Sequence, residues 1–196
     1  MGQLFLNAGV DRLASRGRPL PRAAGTRPRA PSSRIRIRSI APGDRVGLGA
    51  FYAGLSEESR RTRFLGPTSG IGANQATWFC TADHAQREGF VAVRGAAAGP
   101  DRIVGHVCVE PDGPASAEIA VCVADEMQAR GIGRLLVCAA IAWARQDGLR
   151  SLTATMLAGN PAIQRLLTGL GLPSVAVPVG AGIIEIRIDI VAARAA

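Results

Sequence analysis

Apolar residues recur along the chain with two different periods, and these periods predict strands and helices from residue 34 onward. Residues 34–40 alternate arginine with apolar side chains, which indicates a half-buried strand. Helical segments follow between residues 42 and 80: Pro42 suits a first helical position, and Ser56 can cap a second helix whose first turn holds Glu57 and Glu58. Two strands are then predicted at residues 90–93 and 103–109, and a hairpin turn leads into a third strand that ends at Val123.

The stretch between residues 117 and 149 has the clearest pattern, which is that of a strand, a glycine loop and a helix. Residues 119–123 are apolar and rich in β-branched side chains, and the chain then turns through Gly131 and Gly133. Apolar positions recur after this turn at helical spacing, and they are Leu135, Leu136, Ala139, Ala142 and Trp143. Because the first N–H groups of a helix lack partners and carry the positive end of its dipole, we expect the loop to bind an anion such as phosphate.

The rest of the chain completes one domain. A strand over residues 149–157 is reached by a crossover, so we expect it to run parallel to the strand before it. A helix begins at Pro161 and ends at Gly171, and residues 175–191 form a final antiparallel pair. The elements predict an α/β domain of the α+β kind over residues 34–191, with a mixed, mostly antiparallel sheet of six to seven strands flanked by helices.

The first 33 residues differ from the rest in composition. Their mixture of Pro, Arg and Ala buries too little apolar surface to order itself, so residues 1–33 are predicted to be a disordered basic tail. Residues 1–38 contain nine arginines and one acid, whereas residues 39–196 contain fourteen of each. A basic tail contacts nucleic acid or anionic lipid only non-specifically. Since no zinc-finger, helix-turn-helix or aromatic sheet motif accompanies it, we expect no specific nucleic-acid partner.

The cysteines and histidines predict no metal site. The four cysteines have no C-x-x-C spacing and are interpreted as small buried hydrophobes, and the two histidines stand alone in the sequence. No uncharged apolar run approaches the roughly 20 residues that cross a bilayer, so we expect a cytoplasmic protein without a membrane partner. Abundant Ala, Arg and Gly without any lysine favour a GC-rich bacterial coding bias over an organelle transit peptide.

The glycine loop differs from two common phosphate-binding loops. A dinucleotide-binding loop needs a third glycine where Leu136 stands, and a P-loop needs Gly-Lys-Ser/Thr, whereas this chain has no lysine. The run Gln128-x-x-Gly131-x-Gly133, after a strand that carries a glutamate, instead resembles motif A of the GNAT acetyltransferases. The predicted order of elements over residues 34–191 is also the order found in that family.

The resemblance implies acetyl-CoA as cosubstrate, no metal, and transfer of the acetyl group to an amine. Main-chain groups of the strand would pair with the pantetheine arm, and the glycine loop would surround the pyrophosphate. The implied contacts are Val121, Cys122 and Val123 for the arm and Gln128, Arg130, Gly131, Gly133 and Arg134 for the pyrophosphate. Asn160 matches an asparagine that often contacts CoA in the family, but capping of the helix that Pro161 begins explains it equally well.

Acetyl transfer to an amine needs a base, because an amine with a pKa of about 10.4 must lose its proton before it attacks. Glu118 is the first candidate, since it lies on an apolar strand where burial would strengthen it as a base. Its Ala-Glu-Ile-x-x-Cys run also resembles the strand that carries the catalytic glutamate in the histone-acetyltransferase branch. A merely solvated Glu118 is the alternative, and Glu110 is the second candidate.

The chain departs from the family at the acid that protonates the leaving CoA thiolate. Many members carry a tyrosine there, whereas this chain has Leu167, and its only tyrosine is Tyr52. Either water protonates the thiolate, which is feasible for a thiol with a pKa near 8.5, or turnover is slow.

The acceptor is indicated by a single run of sequence. Residues 54–67 resemble a segment in the GNAT domains of bacterial protein lysine acetyltransferases, although a well-capped helix explains the run equally well. We therefore expect the acceptor to be a protein lysine. The chain itself is expected to be a monomer or a homodimer. The alternatives are an acetyltransferase of small amines and a CoA-sensing or interaction module that has lost turnover.

Overall fold

The computed structural model describes residues 34–95 and 101–191, and the predicted disordered tail over residues 1–33 lies outside them. Within these two ranges the chain forms seven strands and five α-helices. In chain order they are β1 (Ile35–Ser39), α1 (Arg45–Ala53), α2 (Glu57–Phe64), α3 (Ala73–Cys80), β2 (Glu88–Arg94), β3 (Arg102–Gly113), β4 (Ser116–Val123), α4 (Ile132–Gln146), β5 (Ser151–Leu157), α5 (Pro161–Leu170), β6 (Ser174–Gly180) and β7 (Ile183–Asp189). Short 3-10 turns, Pro42–Asp44 and Asp125–Met127, precede α1 and α4.

The seven described strands belong to one sheet in the order β1-β2-β3-β4-β5-β7-β6. Neighbouring strands are antiparallel except β4 and β5, which α4 connects as a crossover. The predicted order of elements, the parallel orientation of β5 and the final antiparallel pair are therefore confirmed. The predicted fold class is confirmed with them.

Alternation along β3 shows how helices cover the two faces of the sheet. A Cβ built on Gly105 would lie only 2.9 Å from Cδ1 of Leu136, so a glycine lets α4 approach the sheet at this point. The next residue, His106, points to the opposite face, where its ring packs against the rings of Tyr52 and Phe79. The sheet therefore lies between α4 on one face and α1 and α3 on the other.

The predicted helix after the glycine loop is confirmed as α4, but only some of its apolar residues are buried. The Leu135 side chain is 52% exposed, and Ala142 is exposed as well. The buried residues of α4 are Ile132, Leu136, Val137, Ala140, Ile141 and Ala144. The apolar period thus begins at Ile132, because the helix starts immediately after Gly131.

The predicted start of α2 is confirmed. The Ser56 hydroxyl oxygen accepts a hydrogen bond from the Ser59 N–H at 3.1 Å, and Glu57 and Glu58 occupy the first turn, where the helix dipole favours acids. In the described part of the chain, none of the helices is both long and apolar enough to span a membrane.

The interpretation of the cysteines as buried hydrophobes is correct for three of them. Cys80, Cys108 and Cys122 are buried, but Cys138 is exposed. The orientation of α4 explains this difference, since Val137 is buried on the helix and Cys138 is not.

The buried pair of His106 and Tyr52 predicts a loss of stability in acid. The Tyr52 hydroxyl lies 2.9 Å from Nδ1 of His106. Burial, together with repulsion from Arg63, lowers the pKa of His106 to about 3. In the unfolded chain His106 binds a proton below about pH 6.5. Because the folded pKa is the lower one, the contribution of His106 to the free energy of unfolding is complete above pH 6.5 or so and is lost as the pH falls toward 3.

The substitution His106→Gln removes this titration and keeps an acceptor for the Tyr52 hydroxyl. In wild type we expect the free energy of unfolding to fall by up to about 1.4 kcal/mol more per pH unit below pH 6 than in the variant. Urea denaturation between pH 4 and pH 7 measures both slopes. Equal slopes in the two proteins would contradict a neutral, buried His106.

Candidate active site

The strands β4 and β5 pair over only part of their length. Their ladder contains three residue pairs, which end at Glu118 and Thr153, although β4 continues to Val123 and β5 to Leu157. Beyond Glu118 each strand remains paired on its other side, β4 with β3 and β5 with β7. The facing edges of β4 and β5 therefore separate and leave main-chain groups available to a ligand.

A cleft of about 690 Å³ occupies this gap. Eight of the residues singled out in the sequence line it, and they are Val121, Cys122, Val123, Gln128, Gly131, Gly133, Arg134 and Asn160. Arg130 is an exposed loop residue and is not part of the lining. Glu118 lies where the two strands begin to separate. The structure thus brings together residues from β4, the loop after it, the start of α4 and the residue that precedes α5.

The first turn of α4 forms one wall of the cleft. Gly131 precedes the helix with φ at +80°, a left-handed conformation that favours glycine. A Cβ built on Gly131 would meet no atom within 4 Å, so the space in front of the turn is open. Within the described ranges no side chain caps α4. Its free N–H groups and the positive end of its dipole therefore remain available to an anion.

Three helices contribute arginines to the same cleft. Arg61 of α2, Arg134 of α4 and Arg165 of α5 line the cleft. Arg61 also forms an ion pair with Glu58 at 3.0 Å. Arg63 lines the cleft as well, and its Nη2 donates a hydrogen bond to Sγ of Cys108 at 3.4 Å. Sequence reasoning missed these three arginines of α2 and α5, because no spacing in the chain relates one helix to another.

A polar network fastens α2 to the loop before α4. One carboxylate oxygen of Asp125 accepts from the Ser56 N–H at 2.9 Å, and the other accepts from the hydroxyls of Ser56 and Ser59. Although partial burial opposes its charge, hydrogen bonds from Ser56 and Ser59 lower the pKa of Asp125. The Gln128 side chain donates to the Ser59 hydroxyl and to the Val123 carbonyl, each at 3.1 Å. The sequence shows no signal for this network, because Asp125 lies 66 residues from Ser59.

Asn160 caps the helix that follows it. Its Oδ1 accepts hydrogen bonds from the N–H groups of Ala162 and Ile163, at 3.1 and 3.3 Å. The side chain of Asn160 therefore serves as a helix cap, which was the alternative interpretation of this residue. Asn160 also lies on the wall of the cleft.

Glu118 is exposed, and the expectation that it would be buried is wrong. Its position at the start of the gap explains the difference, because only three residue pairs of β5 shield this end of β4. The Thr155 hydroxyl donates to Oε1 of Glu118 at 3.4 Å across the opening between the strands. The Glu118 carboxylate is therefore accessible to solvent where the strands begin to separate, next to Ile119 of the cleft lining, although Glu118 is not itself part of that lining.

Glu110 lies directly opposite Glu118 in the ladder between β3 and β4. It is half-buried, and burial raises the pKa of its carboxyl group despite Arg87, whose Nη1 lies 3.8 Å from its Oε1. Two carboxyl groups thus occupy one patch of the sheet beside the cleft. Both candidates for the base lie in the same region.

Neither Leu167 nor Tyr52 supplies an acid in the cleft. Leu167 of α5 packs against the core, and Tyr52 is fully buried beside His106. The described ranges also contain no group of three or more His, Cys, Asp or Glu side chains that could hold a metal ion.

Comparisons with known proteins identify relatives of this architecture. The model of the acetyltransferase (GNAT) family matches residues 55–172. The GNAT domain of PAT from S. lividans is 25% identical, superposes with a TM-score of 0.70, and the match covers 79% of this chain and 90% of that domain.

Two further solved structures share the fold at lower identity. The GNAT-family acetyltransferase from Streptococcus pneumoniae is 22% identical with a TM-score of 0.60, and the match covers 79% of this chain and 98% of that one. The acetyltransferase yncA from Salmonella typhimurium, solved with its cofactor acetyl-CoA, is 20% identical with a TM-score of 0.62, over 79% of this chain and 91% of that one.

The network around Asp125 predicts a measurable contribution to stability. Asp125→Ala removes the acceptor of three hydrogen bonds, and we expect the free energy of unfolding to fall by about 1–2 kcal/mol. Asp125→Asn keeps one acceptor oxygen and should lose less. Urea denaturation at pH 7 measures both changes. An unchanged unfolding midpoint for Asp125→Ala would mean that the network does not hold α2 against the loop.

Proposed function

Because the chain belongs to the acetyltransferase (GNAT) family, we propose that it transfers an acetyl group from acetyl-CoA to a protein lysine side chain, with Glu118 as the general base. The observation that carries this proposal is the gap between β4 and β5. An anion site lies on its wall at the start of α4, and a carboxylate stands where the gap closes. This arrangement suits an extended donor with phosphates at one end and a reactive group at the other.

The residues of the cleft fit acetyl-CoA, which supplies the thioester when it binds. The uncapped amides after Gly131 suit its pyrophosphate, and Gln128, Arg130 and Arg134 lie on or beside the same loop. The free edge of β4 along residues 121–123 suits the amide groups of the pantetheine arm. Asn160, with its side chain used in capping, would contribute through its position on the wall.

Glu118 would accept the proton of the acceptor amine. A lysine side chain has a pKa of about 10.4 and is protonated at neutral pH, so a carboxylate at the closed end first attracts the cation and then removes a proton. Exposure of Glu118 lets an acceptor reach it from solvent. The neighbouring Glu110 adds negative charge on the same patch and favours a cationic acceptor.

A protein lysine is the acceptor class that two observations favour. The segment of residues 54–67 forms α2 and lines the cleft, and it is this segment that resembles bacterial protein lysine acetyltransferases. The acidic patch of Glu110 and Glu118 suits an ammonium group. Because the chain contains no lysine, it cannot acetylate its own side chains, and an acetyl-lysine signal would arise only from an added acceptor.

The test compares acceptors directly. Purified protein is incubated with acetyl-CoA and either a panel of lysine-containing proteins or a panel of small amines, and free thiol and acetyl-lysine are measured. Acetyl-lysine on proteins supports the proposal. Thiol release with small amines alone would favour the small-amine alternative, and CoA binding without turnover on either panel would favour the sensing module.

Two glycines of the loop predict separable effects on folding and binding. Gly133→Ala places a methyl group 3.7 Å from Cγ2 of Val123, which is an ordinary contact, so we expect unchanged stability. We also expect about tenfold weaker CoA binding, because the methyl group would hold the pyrophosphate away from the amides. Gly131→Ala meets a φ of +80° and should also lose about 1–2 kcal/mol of stability.

Calorimetric titration with CoA and urea denaturation measure these two effects. Gly169→Ala, at an exposed helical glycine outside the cleft lining, is the matched control and should bind CoA like wild type. If Gly133→Ala bound CoA with wild-type affinity, the turn at the start of α4 would not be part of the phosphate site.

The two carboxyl groups of the patch predict different kinetic outcomes. We expect Glu118→Gln to lower kcat/KM at neutral pH by about 100-fold or more, because the base is removed while shape is retained. Glu110→Gln should have a smaller effect that appears mainly in KM for a cationic acceptor. Thiol-release kinetics as a function of pH measure both. If Glu110→Gln lost most of its kcat/KM while Glu118→Gln kept the wild-type rate, Glu110 rather than Glu118 would be the base.

A further inference from the structure

Arg63 is a cation that α2 contributes to the wall of the cleft. It is half-buried in the wall of the cleft, and its Nε atom is fully buried without a hydrogen-bond partner. Its Nη2 donates to a sulfur atom, Sγ of Cys108, and its Cζ lies 5.0 Å from the centre of the Phe64 ring. Among the described residues Arg63 forms no ion pair with a carboxylate.

The polar groups nearest to Arg63 are neutral at physiological pH. Burial raises the pKa of the Tyr52 hydroxyl above its ordinary value, and burial raises the pKa of the Cys122 thiol to about 11. Burial raises the pKa of the Cys108 thiol as well and lowers that of His106 to about 3. Arg63 is thus surrounded by neutral groups; burial opposes its charge, and the Tyr52 hydroxyl and the two thiols favour it without supplying a full negative charge.

Carboxylates do occur farther along the same face of the sheet. Strand alternation puts Glu110 and Cys108 of β3 on this face, together with Glu118 and Cys122 of β4. Neither glutamate lies within ion-pair distance of Arg63. Since an uncompensated charge away from water is unfavourable, its presence in a cleft wall indicates a complementary negative charge at some step of function.

The proposed reaction creates such a charge beside β4. Glu118 first passes one proton of the ammonium group to water. When the neutral acceptor nitrogen then forms its bond to the carbonyl carbon, its second proton passes to Glu118, and the bond from that carbon to sulfur breaks with its electron pair on sulfur. The products are the amide and the CoA thiolate, which takes a proton from water before release. Leu167 supplies no acid for this sulfur, and Tyr52 is enclosed in the core.

Resting on the proposed function, we propose that Arg63 is a catalytic residue that stabilises the CoA thiolate as it leaves, in place of the missing general acid. Arg63 already donates to one sulfur on this face, and it belongs to the lining of the cleft in which the CoA sulfur would lie. A guanidinium remains charged at every pH of interest and therefore stabilises a thiolate without giving up a proton.

The thiol of bound CoA tests this role without an acceptor. CoA labelled with ¹³C at the carbon next to sulfur is bound to wild type, and its chemical shift is followed with pH by NMR. We expect the pKa of the bound thiol to be lower by about 1–2 than the ordinary value of about 8.5. Arg63→Met should return it to the ordinary value or above, and Arg63→Lys should restore part of the decrease. Arg36→Met, at an exposed arginine of the edge strand β1, is the control and should match wild type.

Stability and kinetics separate a catalytic role from a structural one. Because Arg63 has no anionic partner, Arg63→Met should unfold at the same or a higher temperature than wild type, while kcat falls about 10-fold to 100-fold with KM for acetyl-CoA nearly unchanged. Loss of folding in Arg63→Met would contradict the proposal.

The outcomes also distinguish this inference from the proposed function. An ordinary thiol pKa in wild type with CoA bound would overturn the role of Arg63 and leave acetyl transfer intact. Absence of CoA binding in wild type would overturn the proposed function and this inference together.

Discussion

The early end of the ladder between β4 and β5 is the constraint on which the candidate active site depends. Each strand is held along its other edge, so the sheet stays continuous where Glu118 meets Thr153 and opens beyond that pair. A complete ladder would use the main-chain groups of both strands internally and would close the cleft. The open edge instead offers hydrogen-bonding groups that an extended ligand can satisfy.

The gap also orders the charges around it. Uncapped amides and the positive end of the α4 dipole form one wall, and the carboxyl groups of Glu110 and Glu118 lie where the strands meet. The Arg63 guanidinium lies on the α2 wall among neutral phenol, imidazole and thiol groups. Separate sites for phosphate, for a cationic amine and for a thiolate are what acetyl transfer from a CoA thioester requires.

Several of these features reduce stability where they occur. Two carboxyl groups face each other across β3 and β4, α4 begins without a side-chain cap, and a cation has no anionic partner. The remainder of the fold compensates with an aliphatic core and with the hydrogen bonds that Asp125 accepts from α2. Several destabilising features in and beside one cleft are typical of a functional site.

The order of elements and the glycine loop followed from the sequence, because apolar periodicity, helix capping and turn chemistry act within about one element of chain. The strand at residues 119–123, the parallel β5 and the cap at Ser56 were predicted in this way. The burial of Glu118 was predicted wrongly, since burial depends on which neighbour covers a residue. For the same reason helical spacing did not separate the buried from the exposed apolar residues of α4.

Local sequence therefore determined the elements and the type of loop, and the tertiary structure alone decided which side chains meet. Arg63 and Cys108 are 45 residues apart, and Asp125 and Ser56 are 69 residues apart. Such contacts depend on strand register and on the packing of α2 against β4. Register and packing arise from the whole sheet, so no short stretch of sequence contains them.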